Sequence, residues 1–204
     1  MDLLTKRSRT RLSPEKRKVQ LLEIAIEVFA KRGIGRGGHA DIADIAQVSV
    51  ATVFNYFPTR EDLVDEVLTN VEQQFSYFLK ENIDTTLPVK KNLSNLSNRL
   101  VDLVLEDTQW IKIWFEWSTS TREEVWPLFV SIHSEHQKYF REMFCNAIKN
   151  GELCGDHSPS NIAKLFHGIC YAIFVQANRQ PDKEYLTKLV NSFLDMLCIY
   201  KEKD

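Results

Sequence analysis

The clearest chemistry lies in the run VSVATVFNYF, where Ala51, Thr52, Asn55 and Tyr56 recur at helical spacing. An asparagine amide can bond the edge of an adenine, a threonine can touch a thymine methyl, and a tyrosine hydroxyl can reach a phosphate. Val53 and Phe57, four residues apart, share the opposite side of the same helix. The outward face is therefore small and polar with one aromatic tip, a shape and chemistry suited to a DNA groove.

Two elements must position that face. In the first, Ile42, Ala43, Ile45 and Ala46 are expected to face inward; Gln47, Val48 and Ser49 then form a turn, and Val50 to Phe57 is predicted as the second helix. Ser49 suits the N-cap, since its hydroxyl can accept a backbone N–H two or three residues on. Because no loop separates the two helices, they must cross steeply, as in a helix-turn-helix.

Upstream, residues 1–12 carry Lys6, Arg7, Arg9 and Arg11 without apolar periodicity, and are expected to form a basic arm whose arginines enter a minor groove. Ser13-Pro14-Glu15 starts a helix with Val19, Leu22, Ala25, Ile26 and Phe29 as its expected stripe, closed by Lys31-Arg32-Gly33. The segment from Gly33 to Gly38 holds four of the seven glycines. It follows a helix and not a strand and lacks the Lys-Ser/Thr of a nucleotide loop, so its expected role is a turn whose backbone, with His39, approaches a phosphate. The full candidate DNA-contact set is Arg9, Arg11, Gly38, His39, Ser49, Ala51, Thr52, Asn55, Tyr56 and Arg60.

The run IADIAQVSVATVFNYFPTREDL resembles the DNA-binding signature of TetR-family transcriptional regulators. With WFEWSTSTREEVWPLF and LFHGICYAIFVQANR, the resemblance extends over nearly the whole chain and is nearer still to the quorum-sensing master regulators of vibrios. It differs from the general family pattern at Gln47 and Ala51, where glycine is common, and at Arg60, where lysine is usual. A left-handed Gln47 would cost about 1–2 kcal/mol. The resemblance implies a sequence-specific regulator that activates and represses as a homodimer, on a pseudo-palindromic operator of double-stranded DNA. It also implies a pocket for a small ligand in the C-terminal part.

Composition agrees with an all-α fold of about nine helices. Only 7 glycines and 6 prolines occur in 204 residues, the prolines mostly at breaks between periodic runs. The domains are expected to be the arm at 1–12, a helix-turn-helix domain at 13–58, and a regulatory and dimerisation domain at 59–204. Net charge is −2, yet the basic residues crowd the N-terminus, the asymmetry of a chain that meets phosphates at one end. No apolar leader or bilayer-length run is seen, so a cytoplasmic protein without a membrane partner is expected.

Thr59-Arg60-Glu61-Asp62 should cap a fourth helix, whose stripe of Val64, Val67, Leu68, Val71, Phe75, Phe78 and Leu79 runs to about Asn82. Five more helices are predicted after Pro88. Leu93, Leu96, Leu100, Leu103 and Val104 mark the first of these, and Trp110, Trp114 and Trp117 share one face of the next. Thr121 to Glu124 reads as a capping box before the helix that carries Phe129, Ile132, His133, His136, Phe140 and Phe144. Phe75, Leu79, Leu100, Trp114, Phe129, His133, Gln137 and Cys170 are positioned to converge on a pocket, although simple core packing would produce the same pattern. The last two helices, apolar on more than one face, are expected to form the dimer interface through Phe166, Ile173, Leu189, Phe193 and Leu197.

Other chemistries find less support. His133 and His136, or Cys154 and His157, lack the further ligands of a metal set, and Cys145, Cys154, Cys170 and Cys198 lack paired zinc spacing. No Ser-His-Asp, HExxH or nucleotide motif suggests an enzyme, and no cofactor is expected. The competing reading is a helical small-molecule-binding module without operator binding.

Overall fold

The structure, a computed structural model, describes residues 12–120, 126–154 and 156–197, without the side chains of 126–129 and 133. The basic arm with Arg9 and Arg11, the capping box at 121–124 and the Phe129 and His133 side chains therefore lie outside the described residues. Nine helices and no strand occur among the described residues. They fall into two compact units, Met1–Thr69 and Asn70–Asp204.

The first unit holds α1 (Pro14–Arg32), α2 (His39–Ala46), α3 (Val50–Phe54) and the start of α4 (Arg60–Asn82). The expected caps form. The Ser13 hydroxyl accepts the Lys16 N–H, and Gly33 closes α1 at a φ of 85°, a left-handed value that glycine adopts without a Cβ clash. At α4, Thr59 and Asp62 bond reciprocally: the Asp62 carboxylate accepts the Thr59 N–H at 3.0 Å, and the Thr59 hydroxyl accepts the Asp62 N–H at 3.0 Å.

The core face of α1 differs from expectation. Leu21, Ala25, Val28 and Phe29 are buried, whereas Val19 is 56% exposed. Neighbouring apolar residues on a 3.6 period allow more than one stripe, and packing against α2 selects this one. On α2, Ile42 and Ala43 face inward as expected, but Ile45 is 51% exposed. The start of α4 belongs to this unit because Leu63, Val67 and Leu68 are fully buried and Lys18 pairs with Glu66 at 2.6 Å.

The second unit comprises the rest of α4 with α5 (Val89–Leu105), α6 (Gln109–Ser118), α7 (Trp126–Lys149), α8 (Pro159–Arg179) and α9 (Lys183–Met196). Helix α5 packs on α8 and α9, and α7 on α8. All three tryptophans of α6 are buried, together with Ile111, Ile113 and Phe115, so this short helix is enclosed nearly all round. Asn92, also buried, ties the α4–α5 turn: its amide donates to the Asp84 and Leu87 carbonyls and its oxygen accepts the Asp84 N–H.

The expected dimer residues need correction. Phe166, Ile173 and Leu197 are buried within the single chain, and so are unavailable to a partner; Leu189 and Phe193 are half-buried. The apolar side chains that α8 and α9 leave outside include Leu165, 54% exposed, and Met196, 61% exposed. A helix that is apolar all round fills its own core first, and only the remainder is left for a second copy.

Candidate nucleic-acid interface and internal cavity

Helix α3 is shorter than expected. It ends at Phe54, and residues 55–57 follow as a turn in which the Tyr56 and Phe57 N–H groups both reach the Val53 carbonyl at 3.0 Å. Its start is built as the spacing predicts, with the Ser49 hydroxyl accepting the Thr52 N–H at 3.1 Å. The Ser49 and Thr52 hydroxyls also bond each other at 2.8 Å, which leaves the Thr52 methyl as that residue's uncommitted group. Val53 and Phe57 are fully buried behind the helix. Ala51 and Asn55 are exposed on the outer side, and Thr52 and Tyr56 are half-buried.

The turn before α3 keeps the left-handed conformation, with Gln47 at φ 53° and ψ 48°. That geometry turns the chain sharply enough for the Val48 N–H to reach the Ala43 carbonyl at 3.0 Å. The backbone thus follows the glycine-type turn although its residue is not glycine.

His39 and Arg60 are reassigned. The His39 ring is buried and lies flat on Phe54, centroids 4.0 Å apart, and its Nε2–H donates to the Phe57 carbonyl at 2.8 Å. Arg60 turns its guanidinium onto the carbonyls of Gly37 and, at 2.7 Å, Ile34. Arg60 fastens the start of α4 to the glycine-rich loop, and His39 fastens the start of α2 to Phe54 and Phe57, so both side chains are committed within the first unit. Gly38 caps α2, its N–H bonded to the Asp41 carboxylate at 3.1 Å, and that carboxylate also pairs with Arg32 at 2.7 Å. Within the loop Gly37 serves close approach: a Cβ there would lie 2.8 Å from atoms of Phe29 and Val28. Phe54, 44% exposed beside Asn55, is not singled out by its spacing; its aromatic neighbour Tyr56 is the only hint.

In the second unit, six of the eight expected pocket residues, Phe75, Leu79, Leu100, Trp114, Gln137 and Cys170, line one cavity of about 50 Å³. The other two, Phe129 and His133, are those whose side chains lie outside the described residues. His136 and His167, which pattern reasoning left out of the pocket set, are on the wall. Phe75 and Trp114 stack face to face at 3.8 Å, and His136 tilts over both. Burial pulls the pKa of His136 down against the opposing pull of Glu72 and Glu135, and burial does the same to His167. Burial also pushes the Cys170 thiol up to about 12, which keeps it protonated near neutral pH. Among the described residues no cluster of three His, Cys, Asp or Glu is placed to hold a metal, and no helix is long and apolar enough to cross a membrane.

Residues 21–67 match the family model described as bacterial regulatory proteins, tetR family. Over its full length the chain is 62% identical to the HTH-type transcriptional regulator LuxR of Vibrio harveyi, covering 99% of that protein. This chain belongs to the TetR family. It is a transcriptional regulator of that type, with the all-helical architecture and N-terminal helix-turn-helix of the family. Among solved structures, a TetR-family regulator from Agrobacterium tumefaciens superposes with a TM-score of 0.77 at 16% identity, covering 93% of this chain and 100% of that one. FadR from Bacillus subtilis in complex with stearoyl-CoA superposes with a TM-score of 0.73 at 21% identity, covering 88% of this chain and 96% of that one. At these identities the structural likeness speaks for the fold alone.

Proposed function

We propose that this TetR-family regulator reads a pseudo-palindromic operator as a homodimer, within a quorum-sensing circuit of the kind its likeness to the Vibrio harveyi regulator suggests. One observation carries the operator reading. Ala51 stands exposed beside Thr52 on a helix capped by Ser49, Asn55 stands exposed beside Tyr56 in the turn that follows, and Val53 and Phe57 are buried behind them. In this reading α3 enters a major groove, Asn55 bonds a base edge, the Thr52 methyl meets a thymine, and Tyr56 reaches a phosphate. Two copies, associating through the side chains that α8 and α9 leave exposed, place their reading helices about 34–36 Å apart, one turn of the duplex. The arm with Arg9 and Arg11 adds minor-groove and phosphate contacts.

The cavity is read as a site for a small, largely apolar molecule. FadR in the structure named above holds stearoyl-CoA, and a regulator from Saccharomonospora viridis with the same fold holds choline. Helix α4 supplies Phe75, Phe78 and Leu79 to the cavity wall and Leu63 and Val67 to the first unit's core. Occupancy is therefore proposed to change operator affinity through α4.

Footprinting on genomic fragments tests the operator reading. The expected result is two protected half-sites centred about one helical turn apart; equal protection of random DNA would refute it.

A further inference from the structure

Inside the second unit, one wall group of the cavity has an incomplete set of bonds. The Ser76 hydroxyl donates its single proton to Glu72 at 2.7 Å, so its oxygen can only accept from Nε2 of His136, 3.0 Å away. The Nε2 atom therefore carries the proton of the neutral ring, and Nδ1 is left as a bare acceptor. That Nδ1 is buried and has no hydrogen-bond partner, on a residue that lines the cavity. Buried polar atoms are rarely left this way unless something else completes them.

We propose that the cavity takes a small, mainly apolar molecule bearing one hydrogen-bond donor, a hydroxyl or an N–H, whose proton is accepted by Nδ1 of His136. This rests on the ligand-cavity reading above and adds the polarity of the ligand to it. The surrounding wall is mainly rings and aliphatic chains, with the Phe75 and Trp114 rings 4.9 and 5.6 Å from the imidazole, so the apolar body of the ligand has a matching surface. The neutral ring persists near neutral pH because burial outweighs the attraction of Glu72 and Glu135 for its charged form. Across the cavity α8 contributes His167, whose pKa burial also lowers, and the Cys170 thiol, while α5 and α6 contribute uncharged side chains such as Leu100 and Trp114. Below the pH at which His136 takes up a proton, Nδ1 becomes a donor and the preference reverses in favour of acceptors.

The test compares phenol with toluene, near-equal in shape and differing in the donor, by calorimetric titration of the full-length protein at pH 8. The ratio of their dissociation constants is read for the natural chain and for His136→Phe, which removes the acceptor and keeps a ring. The variant is expected to lose about tenfold of the preference for phenol. As a check independent of that variant's folding, the unprotonated ring-nitrogen resonance of His136 in the natural chain should move with phenol and not with toluene. Binding of both compounds with an unchanged ratio and an unmoved resonance, as a resident water supplying the donor would give, overturns the inference and leaves the cavity reading intact. Failure of both compounds to bind overturns the two together.

Discussion

On α3 and the turn after it the polar side chains stand outside, with fully buried Val53 and Phe57 behind them, whereas in the second unit His136, Gln137 and His167 line a cavity walled mainly by rings. In the first arrangement the proposed base reading needs a rigid support, because a base edge can be read only by groups that hold still. The second needs slack in the packing, since a fully packed interior has no room for a guest. The glycine-rich loop, the His39–Phe57 bond and the Arg60 anchors supply the rigidity. About 50 Å³ of unfilled space beside stacked Phe75 and Trp114 supplies the slack.

The contrast can be broken most directly by truncating one ring from each region. Phe57→Ala should cost about 3–5 kcal/mol of stability, since its cavity opens behind α3 in a closely packed core. Phe75→Ala, half-buried on a wall that already borders space, should cost less. Equal shifts of the urea midpoint would erase the distinction.

Next in size is His39→Ala, expected to cost about 1–3 kcal/mol by leaving the Phe57 carbonyl without its donor. The same measurement decides its reassignment: weaker operator binding with unaltered stability would return His39 to the DNA-contact set. Asn55→Ala is the complementary case. It should lose about 1–3 kcal/mol of discrimination between operator and random DNA while stability stays within about 0.5 kcal/mol. Parallel losses on both DNAs would remove Asn55 from base reading.

The gentlest probe is pH. His136 and His167 both have pKa values lowered by burial from an ordinary 6.5. As pH falls through that ordinary value, the unfolded chain binds protons before the folded one, so stability declines, and the decline levels off once the folded rings are protonated too. Replacing both with glutamine should flatten that slope, as followed by thermal unfolding in steps from pH 8 to about pH 5. A slope that survives the double replacement would assign it to other groups.

Apart from the end of α3, the capped helix starts and stops were legible because they depend on residues three or four apart. Ser13, Thr59 with Asp62, and Gly33 cap where local chemistry says they should. The buried stripes were less legible. Val19 and Leu21 compete for the inside of α1 with similar periodicity, and the neighbouring helix decides. His39 and Arg60 had the chemistry of phosphate contacts, but their partners lie 18 and 26 residues away along the chain, at Phe57 and Ile34. Phe166, Ile173 and Leu197 were apolar enough for a dimer face, yet they fill the protomer's own interior.

Periodicity, caps and the helix-turn-helix run were enough to predict about nine helical segments and a polar outward face, since each depends on contacts within about one or two turns of chain. Which rings pack solidly, which border a space, and which buried polar atoms, His136 Nδ1 among them, are left without a partner were decided only when distant segments came together. Those outcomes depend on the shapes of side chains that meet across helices, and no spacing along the chain encodes them.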